Sequence, residues 1–357
     1  MQSNKRIILI GGGLSGLTLA YSLSKINIDV TILEASPRLG GRIQTLKGVL
    51  GTPLELGATW FSAIHQNLSF LLEELGLKKY HQFSKGKSLF QTKSFEPSQE
   101  FFVPESEDPS FRIVGGTDSL IEKLIQKIPN VNIQLNTKVT SIKELDNEML
   151  LTTTDGEELH AAIVVLCIPP QLIASQIEFS PELPIQISNV LPTVQTWMSG
   201  SIKFVLEYDK PFWRNKGFSG MLYSHAGIVT EMYDHTNAEE TKFGFTGFLN
   251  SGASSYTKKV REELVLQQLS QLLGNEILSP ITYADKVWTD EFVYNGPQVI
   301  QRPHQNNGHP LLQECYMNGK LYFSGTEVAT EFSGYMEGAV TSGLEMATKI
   351  RLYYEDK

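Results

Sequence analysis

KRIILIGGGLSGLTLAYSLSK, residues 5–25, admits two incompatible readings. Two cations ahead of an uncharged run resemble the n- and h-regions of a secretory signal peptide, with Ala20-Tyr21-Ser22 as a poor cleavage site. The same letters describe a strand, a glycine turn and a helix able to hold a pyrophosphate. The residues up to Glu34 decide between them. Apolar residues recur at helical spacing from Leu14 to Leu23, and Ile28 to Leu33 reads as a second strand ending at Glu34. A signal peptide gives no reason for a strand and a terminal acid at that distance. A β-α-β unit of about thirty residues requires the strand.

Within Gly11-x-Gly13-x-x-Gly16, Gly11 permits the tight turn, Gly13 lets backbone approach the pyrophosphate, and Gly16 lets helix pack on strand. The helix amino end, at Leu14 and Ser15, then faces the anion. Glu34, followed by Ala35, lies about twenty residues on, where a carboxylate accepts hydrogen bonds from ribose hydroxyls and repels a 2′-phosphate. The plainer alternative is a charged strand end. The motif does not by itself separate NAD from FAD.

A chain of 357 residues is long enough for two domains, and 41% hydrophobic residues is ordinary for a globular protein. A net charge of -9 gives no electrostatic case for nucleic acid or an anionic membrane. The two cysteines, Cys167 and Cys315, make no disulfide scaffold, so a reducing, cytoplasmic setting is expected. No run reads as a membrane helix: Ile7 to Ser24 carries four glycines, and Ala161 to Ile177 is broken by Pro169-Pro170. The seven histidines show no ligand spacing, His304 and His309 falling in a Pro/Asn/Gly loop, and no metal is expected. There is no Gly-x-Ser-x-Gly elbow, and no P-loop lysine follows the glycines.

Farther along, helices are expected near His65 to Leu75, Asp118 to Ile128, Tyr256 to Leu273 and Gly334 to Arg351. Strands are expected at Val131 to Leu135, around Val139 to Ile142, at Ala161 to Cys167 and at Lys320 to Ser324, with a hairpin turn at Asp155-Gly156. Gln195 to Tyr208, Gly227 to Tyr233, Phe243 to Leu249 and Ile281 to Trp288 read as a mostly antiparallel sheet. Tyr80 to Phe111 reads as an irregular, phenylalanine-bearing excursion.

Arg38-Leu39-Gly40-Gly41-Arg42, Leu56-Gly57-Ala58-Thr59-Trp60 and the distant FSGTEVATEFSGYMEGAVTSG, residues 323–343, together resemble the flavin-containing amine oxidases, the family of the monoamine and polyamine oxidases. The resemblance is strongest over residues 5–60, 115–213 and 288–350. It implies an α/β fold: a discontinuous, glutathione-reductase-type FAD/NAD(P)-binding Rossmann-like domain of residues 1–80, 112–192 and 290–357. Residues 81–111 and 193–289 would form an α+β substrate domain on the antiparallel sheet. FAD is long, so one glycine turn holds only its adenosine and pyrophosphate half. A C-terminal helix whose amino end reaches the isoalloxazine would stabilise the reduced anion. The resemblance further implies flavin contacts at Gly41, Arg42, Gly57, Ala58, Thr59 and Trp60, an adenine contact at the Val139 backbone, and ring-side contacts at Gly325, Glu327, Gly334, Tyr335 and Met336. Trp288 would pack at the flavin edge, with an ordinary core tryptophan as the alternative.

GSIKFVLEYDKPFW, residues 200–213, resembles the family segment whose lysine holds a water at flavin N5, which by match is Lys203. Periodicity puts Ser201, Lys203, Val205 and Glu207 on one face of that strand, so a solvent-facing lysine is the alternative. Aligning from Trp288, the family's covalent-flavin cysteine falls on Pro297, so FAD is expected to be noncovalent. The next position, one wall of the aromatic amine cage, falls on Gln298; Tyr335 is the other wall, and Tyr294 could substitute. The long helical insertion of larger relatives is absent between Leu77 and Arg112. The expected activity is FAD-dependent oxidation of a small-molecule amine, with hydride passing to N5, the imine hydrolysing and oxygen yielding hydrogen peroxide. Gln298 and the reduced insertion favour the alternatives: a dehydrogenase or desaturase of a non-amine, as in protoporphyrinogen oxidases and carotenoid desaturases, or a flavin-binding protein without turnover.

Overall fold

The computed structural model describes residues 6–26, 28–104, 109–289 and 302–355. Its first sheet is parallel throughout, in the order Leu321–Phe323, Ile163–Leu166, Ile7–Ile10, Val30–Leu33, Asn132–Gln134. The unbroken apolar runs IILI, VTIL and IVVL follow from burial on both faces. Ile7 and Leu9 enter one core with the helices Leu14–Ser24, Asp118–Lys127 and Met336–Glu355, while Ile8 and Ile10 enter a second core on the other face.

The first and last helices pack closely because small residues face each other. A Cβ on Gly343 would lie 2.8 Å from the Ser15 carbonyl oxygen. A chain of hydroxyls seals the contact: Ser15 Oγ lies 2.9 Å from Ser324 Oγ, which lies 3.1 Å from Ser342 Oγ, and that oxygen accepts from the Gly325 amide at 3.0 Å. The two ends of the sequence thereby meet beside the same sheet.

A four-stranded sheet, in the order Glu158–Ala161, Met149–Thr153, Val139–Glu144, Glu178–Ser180, flanks this unit, and the hairpin joining Met149–Thr153 to Glu158–Ala161 turns at the expected Asp155-Gly156, with Gly156 at φ +80. A seven-stranded sheet runs Thr282–Val287, Ile202–Tyr208, Phe243–Leu249, Val229–Asp234, Phe218–Ser224, Lys87–Gln91, Gln99–Phe102. Its pairs are antiparallel except that Phe218–Ser224 and Lys87–Gln91 are parallel. One face buries Ile202, Phe204, Leu206 and Phe245 against Val265, Leu269 and Leu273 of the helix Lys258–Leu273.

Two expectations are corrected. The excursion from Tyr80 to Phe111 is not irregular: Lys79–His81 pairs with Phe111–Ile113, and Lys87–Gln91 with Gln99–Phe102 extends the large sheet. Its polar letters conceal the strands because they are satisfied across the chain, Ser88 Oγ lying 2.7 Å from Ser219 Oγ and Gln91 Oε1 accepting from Ser224 at 2.9 Å. The strand expected from Gln195 begins only at Ile202, since Met198 at φ +64 and Gly200 at φ +79 turn the chain first. The strand Phe218–Ser224 has no counterpart among the expected elements. Replacing Gly343 by Val, which forces the two helices apart, is expected to cost about 1–3 kcal/mol in urea unfolding. An unchanged midpoint would contradict the close contact.

Candidate active site

A cavity of about 650 Å³ opens along the carboxyl edge of the parallel sheet and reaches the seven-stranded sheet. Gly11, Gly13, Leu14, Ser15, Glu34, Ala35, Gly41, Arg42 and Val139 line its first end. Gly11 stands at φ +111 and passes so near Cys167 that a Cβ would meet its carbonyl at 2.7 Å. A Cβ on Gly13 would meet nothing within 4 Å, because that side is open cavity. Gly16 does not line the cavity; a Cβ there would lie 2.2 Å from the Gly11 carbonyl, so its part is helix-to-strand packing. The helix has no side-chain cap at Gly13, which leaves its first amides for an anion. Glu34 accepts from the Gly12 amide at 2.7 Å and the Ser36 amide at 2.8 Å, so its carboxylate is fixed at the cavity wall with acceptor capacity left over.

The second end is built from sequence-distant pieces. Arg42 and Glu327 form a two-point ion pair at 2.7 Å and 3.0 Å, and Glu327 is 1% exposed. Gly325, Gly334, Tyr335 and Met336 line the wall, and the last helix starts at Met336, so its amino end faces the cavity. Trp197, tilted 31° from Tyr335 at 6.3 Å between centroids, adds an aromatic wall that sequence reading missed.

Between these ends the segment Glu55–Trp60 is clasped by side chains of the seven-stranded sheet and its flanks. The Glu55 amide donates to His235 Nε2 at 3.1 Å, Thr246 Oγ1 donates to the Glu55 carbonyl at 3.1 Å, and Trp288 Nε1 donates to the Leu56 carbonyl at 2.8 Å. Trp288 is thus both a 4% exposed core residue and part of the cavity wall. Lys203 Nζ donates to the Gly57 carbonyl at 2.7 Å and to Thr59 Oγ1, and stands 4.9 Å from the Trp60 ring centroid. Gly57, Ala58, Thr59, Trp60 and Lys203 all line the cavity.

The solvent-facing alternative for Lys203 is overturned. Its strand is paired on both sides and buried along its length, and Lys203 itself is 2% exposed. Burial pulls its ammonium down to about 7, with the Glu55 carboxylate opposing and the Arg112 guanidinium assisting. Burial in turn raises the Glu55 carboxyl, countered first by the Thr117 amide. Burial also lowers Arg112 and carries His235 well below the usual imidazole range. None of these three was legible in advance; only the position of Glu55 beside the Leu56–Trp60 motif offered a signal. Gln298, with Pro297 and Tyr294, lies outside the described residues. Among the described residues no group of three or more His, Cys, Asp or Glu could hold a metal, and no helix is long and apolar enough to cross a membrane.

These walls fit an extended flavin dinucleotide: open amides at one helix end, a fixed carboxylate, and a second helix end beyond an apolar bend. The titration of Lys203 generates a stability signature. Unfolded, it binds its proton up to about 10.4; folded, it releases it at about 7. Between those values the unfolded chain holds the extra proton, so stability rises with pH, by at most about 1.4 kcal/mol per pH unit. Below that window both states are protonated and the penalty is complete. Denaturant unfolding of wild type and Lys203→Met from pH 7 to pH 10 should show a steeper rise in wild type. Parallel slopes would show that Lys203 is not the depressed group.

The family model described as flavin containing amine oxidoreductase matches residues 14–99 and 89–351. The probable flavin-containing monoamine oxidase A of Dictyostelium discoideum is 25% identical over 97% of this chain and 97% of its own. The flavin-containing amine oxidase A of Canis lupus familiaris is 23% identical over 96% of this chain and 84% of its own. Among solved structures, cyclohexylamine oxidase from Brevibacterium oxydans superposes with a TM-score of 0.85 at 21% identity, covering 99% of this chain and 100% of that one. Putrescine oxidase bound to putrescine superposes at 0.84 and 20% identity, covering 98% and 99%. The two superpositions speak for the fold, and the family match takes in both ends of the cavity: this chain belongs to the flavin-containing amine oxidoreductases and is an FAD-dependent oxidoreductase.

Proposed function

We propose that this protein oxidises a small amine, with FAD held noncovalently along the cavity. The domain reading that goes with it is glutathione-reductase-like, with residues 1–80, 112–192 and 290–357 binding FAD and residues 81–111 and 193–289 covering the substrate. The first glycine turn and Glu34 would hold the adenosine and pyrophosphate, Val139 the adenine side, and Arg42, Glu327 and the Gly334–Met336 turn the ring side. When bound, FAD supplies the two-electron sink at N5, and its return to the oxidised state by oxygen gives hydrogen peroxide.

The observation that carries the proposal is the placement of Lys203, buried on the cavity wall with its Nζ bonded to the Gly57 carbonyl and Thr59 Oγ1. An unprotonated Nζ has two N–H bonds, and both are engaged by the Gly57 carbonyl and Thr59 Oγ1. Its lone pair is then left to accept a hydrogen bond from a water in the cavity, and it can take that water's proton near neutral pH. Trp60, Phe248 and Trp288 keep that part of the cavity apolar, which favours a neutral amine over an ammonium at the reacting position. Tyr335 contributes one aromatic wall against the amine. Both cysteines are free; Cys167 is buried with its thiol pushed up to about 12, and Cys315 is exposed. A thiol held protonated is a poor nucleophile toward the flavin, which supports noncovalent binding, and free thiols support a reducing, cytoplasmic setting.

Acid precipitation of the yellow holoprotein is expected to release the colour to the supernatant; a yellow pellet would contradict noncovalent attachment. Anaerobic mixing with an amine panel should bleach the flavin, and bleaching only by other donors would turn the reading toward non-amine dehydrogenation. Lys203→Met should slow flavin reduction or reoxidation by roughly a hundredfold while FAD stays bound. Unchanged stopped-flow rates would remove Lys203 from the mechanism.

A further inference from the structure

Three side chains of the seven-stranded sheet and its flank grip three consecutive carbonyls. Thr246 donates to Glu55 at 3.1 Å, Trp288 to Leu56 at 2.8 Å and Lys203 to Gly57 at 2.7 Å. The amides of the same segment are held as well, those of Leu56 and Gly57 donating to the Gln44 carbonyl and that of Ala58 to the Arg42 carbonyl. A Cβ on Gly57 would lie 2.3 Å from the Arg42 carbonyl oxygen, so the segment is pressed against its neighbour and has no room to shift. The Gly57 carbonyl is therefore a fixed acceptor for Lys203. The second acceptor is a side chain, the Thr59 hydroxyl.

Thr59 is 4% exposed and lines the cavity beside Lys203. Its Oγ1 donates to the Gly57 carbonyl at 3.1 Å, which commits its single proton there. Toward Lys203 that oxygen can then only accept. The Gly57 carbonyl and Thr59 Oγ1 thus take both N–H bonds of an unprotonated Nζ, and its lone pair is left the one tetrahedral position that faces neither oxygen. A threonine serving only its local turn is satisfied by the backbone two residues back. The bond from Lys203, across the chain from another sheet, is additional.

We propose that Thr59 is a positioning residue: by taking one N–H of Lys203 it holds the Nζ lone pair toward the cavity water that the flavin step uses. The inference rests on the amine-oxidase reading and adds to it the group that aims the lysine. Without the hydroxyl, the amine turns about its Cε–Nζ bond to place the released N–H, and the lone pair loses its fixed direction. Charge-assisted hydrogen bonds are the stronger ones, so the ammonium loses more than the amine and Lys203 gives up its proton at lower pH. Glu55, Arg112, His235 and Lys286 are the titratable groups that face Lys203 from the neighbouring elements, and a substitution at Thr59 leaves all four in place.

The test is anaerobic stopped-flow reduction of the holoenzyme by an amine, followed from pH 5.5 to pH 9. Thr59→Val keeps the shape and removes the hydroxyl. It should lower the plateau rate of flavin reduction about tenfold with little change in half-saturation, and move the midpoint of the pH profile down by about half a unit. Thr59→Ser should restore both. In a Lys203→Met background Thr59→Val should slow the step no further, as expected of one residue acting through another. Equal slowing in the two backgrounds, or a serine that does not rescue, overturns the assignment. Denaturant unfolding of the full chain gives a readout without turnover: the rise of stability with pH should begin about half a unit lower in Thr59→Val than in wild type. An onset that does not move overturns the assignment whatever the rates. If the onset moves while no amine bleaches the flavin, or while Lys203→Met reduces it at the wild-type rate, the hold of Thr59 on Nζ stands and the amine-oxidase reading alone falls.

Discussion

The contact on which the rest of this structure depends is the close approach of the first helix to the last. Glycine and serine at that interface let two backbones meet where larger side chains would hold them apart. The consequence is electrostatic as much as steric. Both helices begin at the same cavity, and each brings the positive end of its dipole to it. One end suits a pyrophosphate; the other suits an electron-rich ring. A single long anionic dinucleotide is the kind of ligand such a pair of poles selects.

The second constraint is the cost of burying charge between the parallel unit and the large sheet. Lys203 and Arg112 are both buried there, and Glu55 is the buried carboxylate that acts on both. An arginine keeps its proton under all ordinary conditions, so relief falls on the lysine. The same burial that disfavours its ammonium favours the neutral form, which carries a lone pair. Stability and proposed chemistry are therefore coupled at one nitrogen: dryness that weakens the fold near neutrality prepares the group beside the proposed ring site.

The aromatic surface departs from the pattern implied by the family resemblance. By sequence match Gln298, outside the described residues, falls on one expected aromatic wall, while Trp197 joins Tyr335 in the described wall. Behind Trp60, the Tyr233 ring packs edge-on and its hydroxyl donates to Glu231.

The glycine spacing from Gly11 to Gly16, the acid at Glu34 and the strand periods around them were determined by the sequence, because each follows from local backbone geometry within some thirty residues. The same holds for the hairpin at Asp155-Gly156 and for the helix Lys258–Leu273, whose boundaries follow from turn chemistry and period. Strands such as Lys87–Gln91 were hidden, since their polar residues are satisfied only by partners more than a hundred positions away. Which face of Ile202–Tyr208 is dry was likewise undecidable from alternation: two neighbouring strands and the Glu55–Trp60 segment cover it. Tertiary structure alone assembled Glu55, Arg112 and His235 around Lys203. Burial and cross-strand register are sums over the whole chain, and no local window of residues contains them.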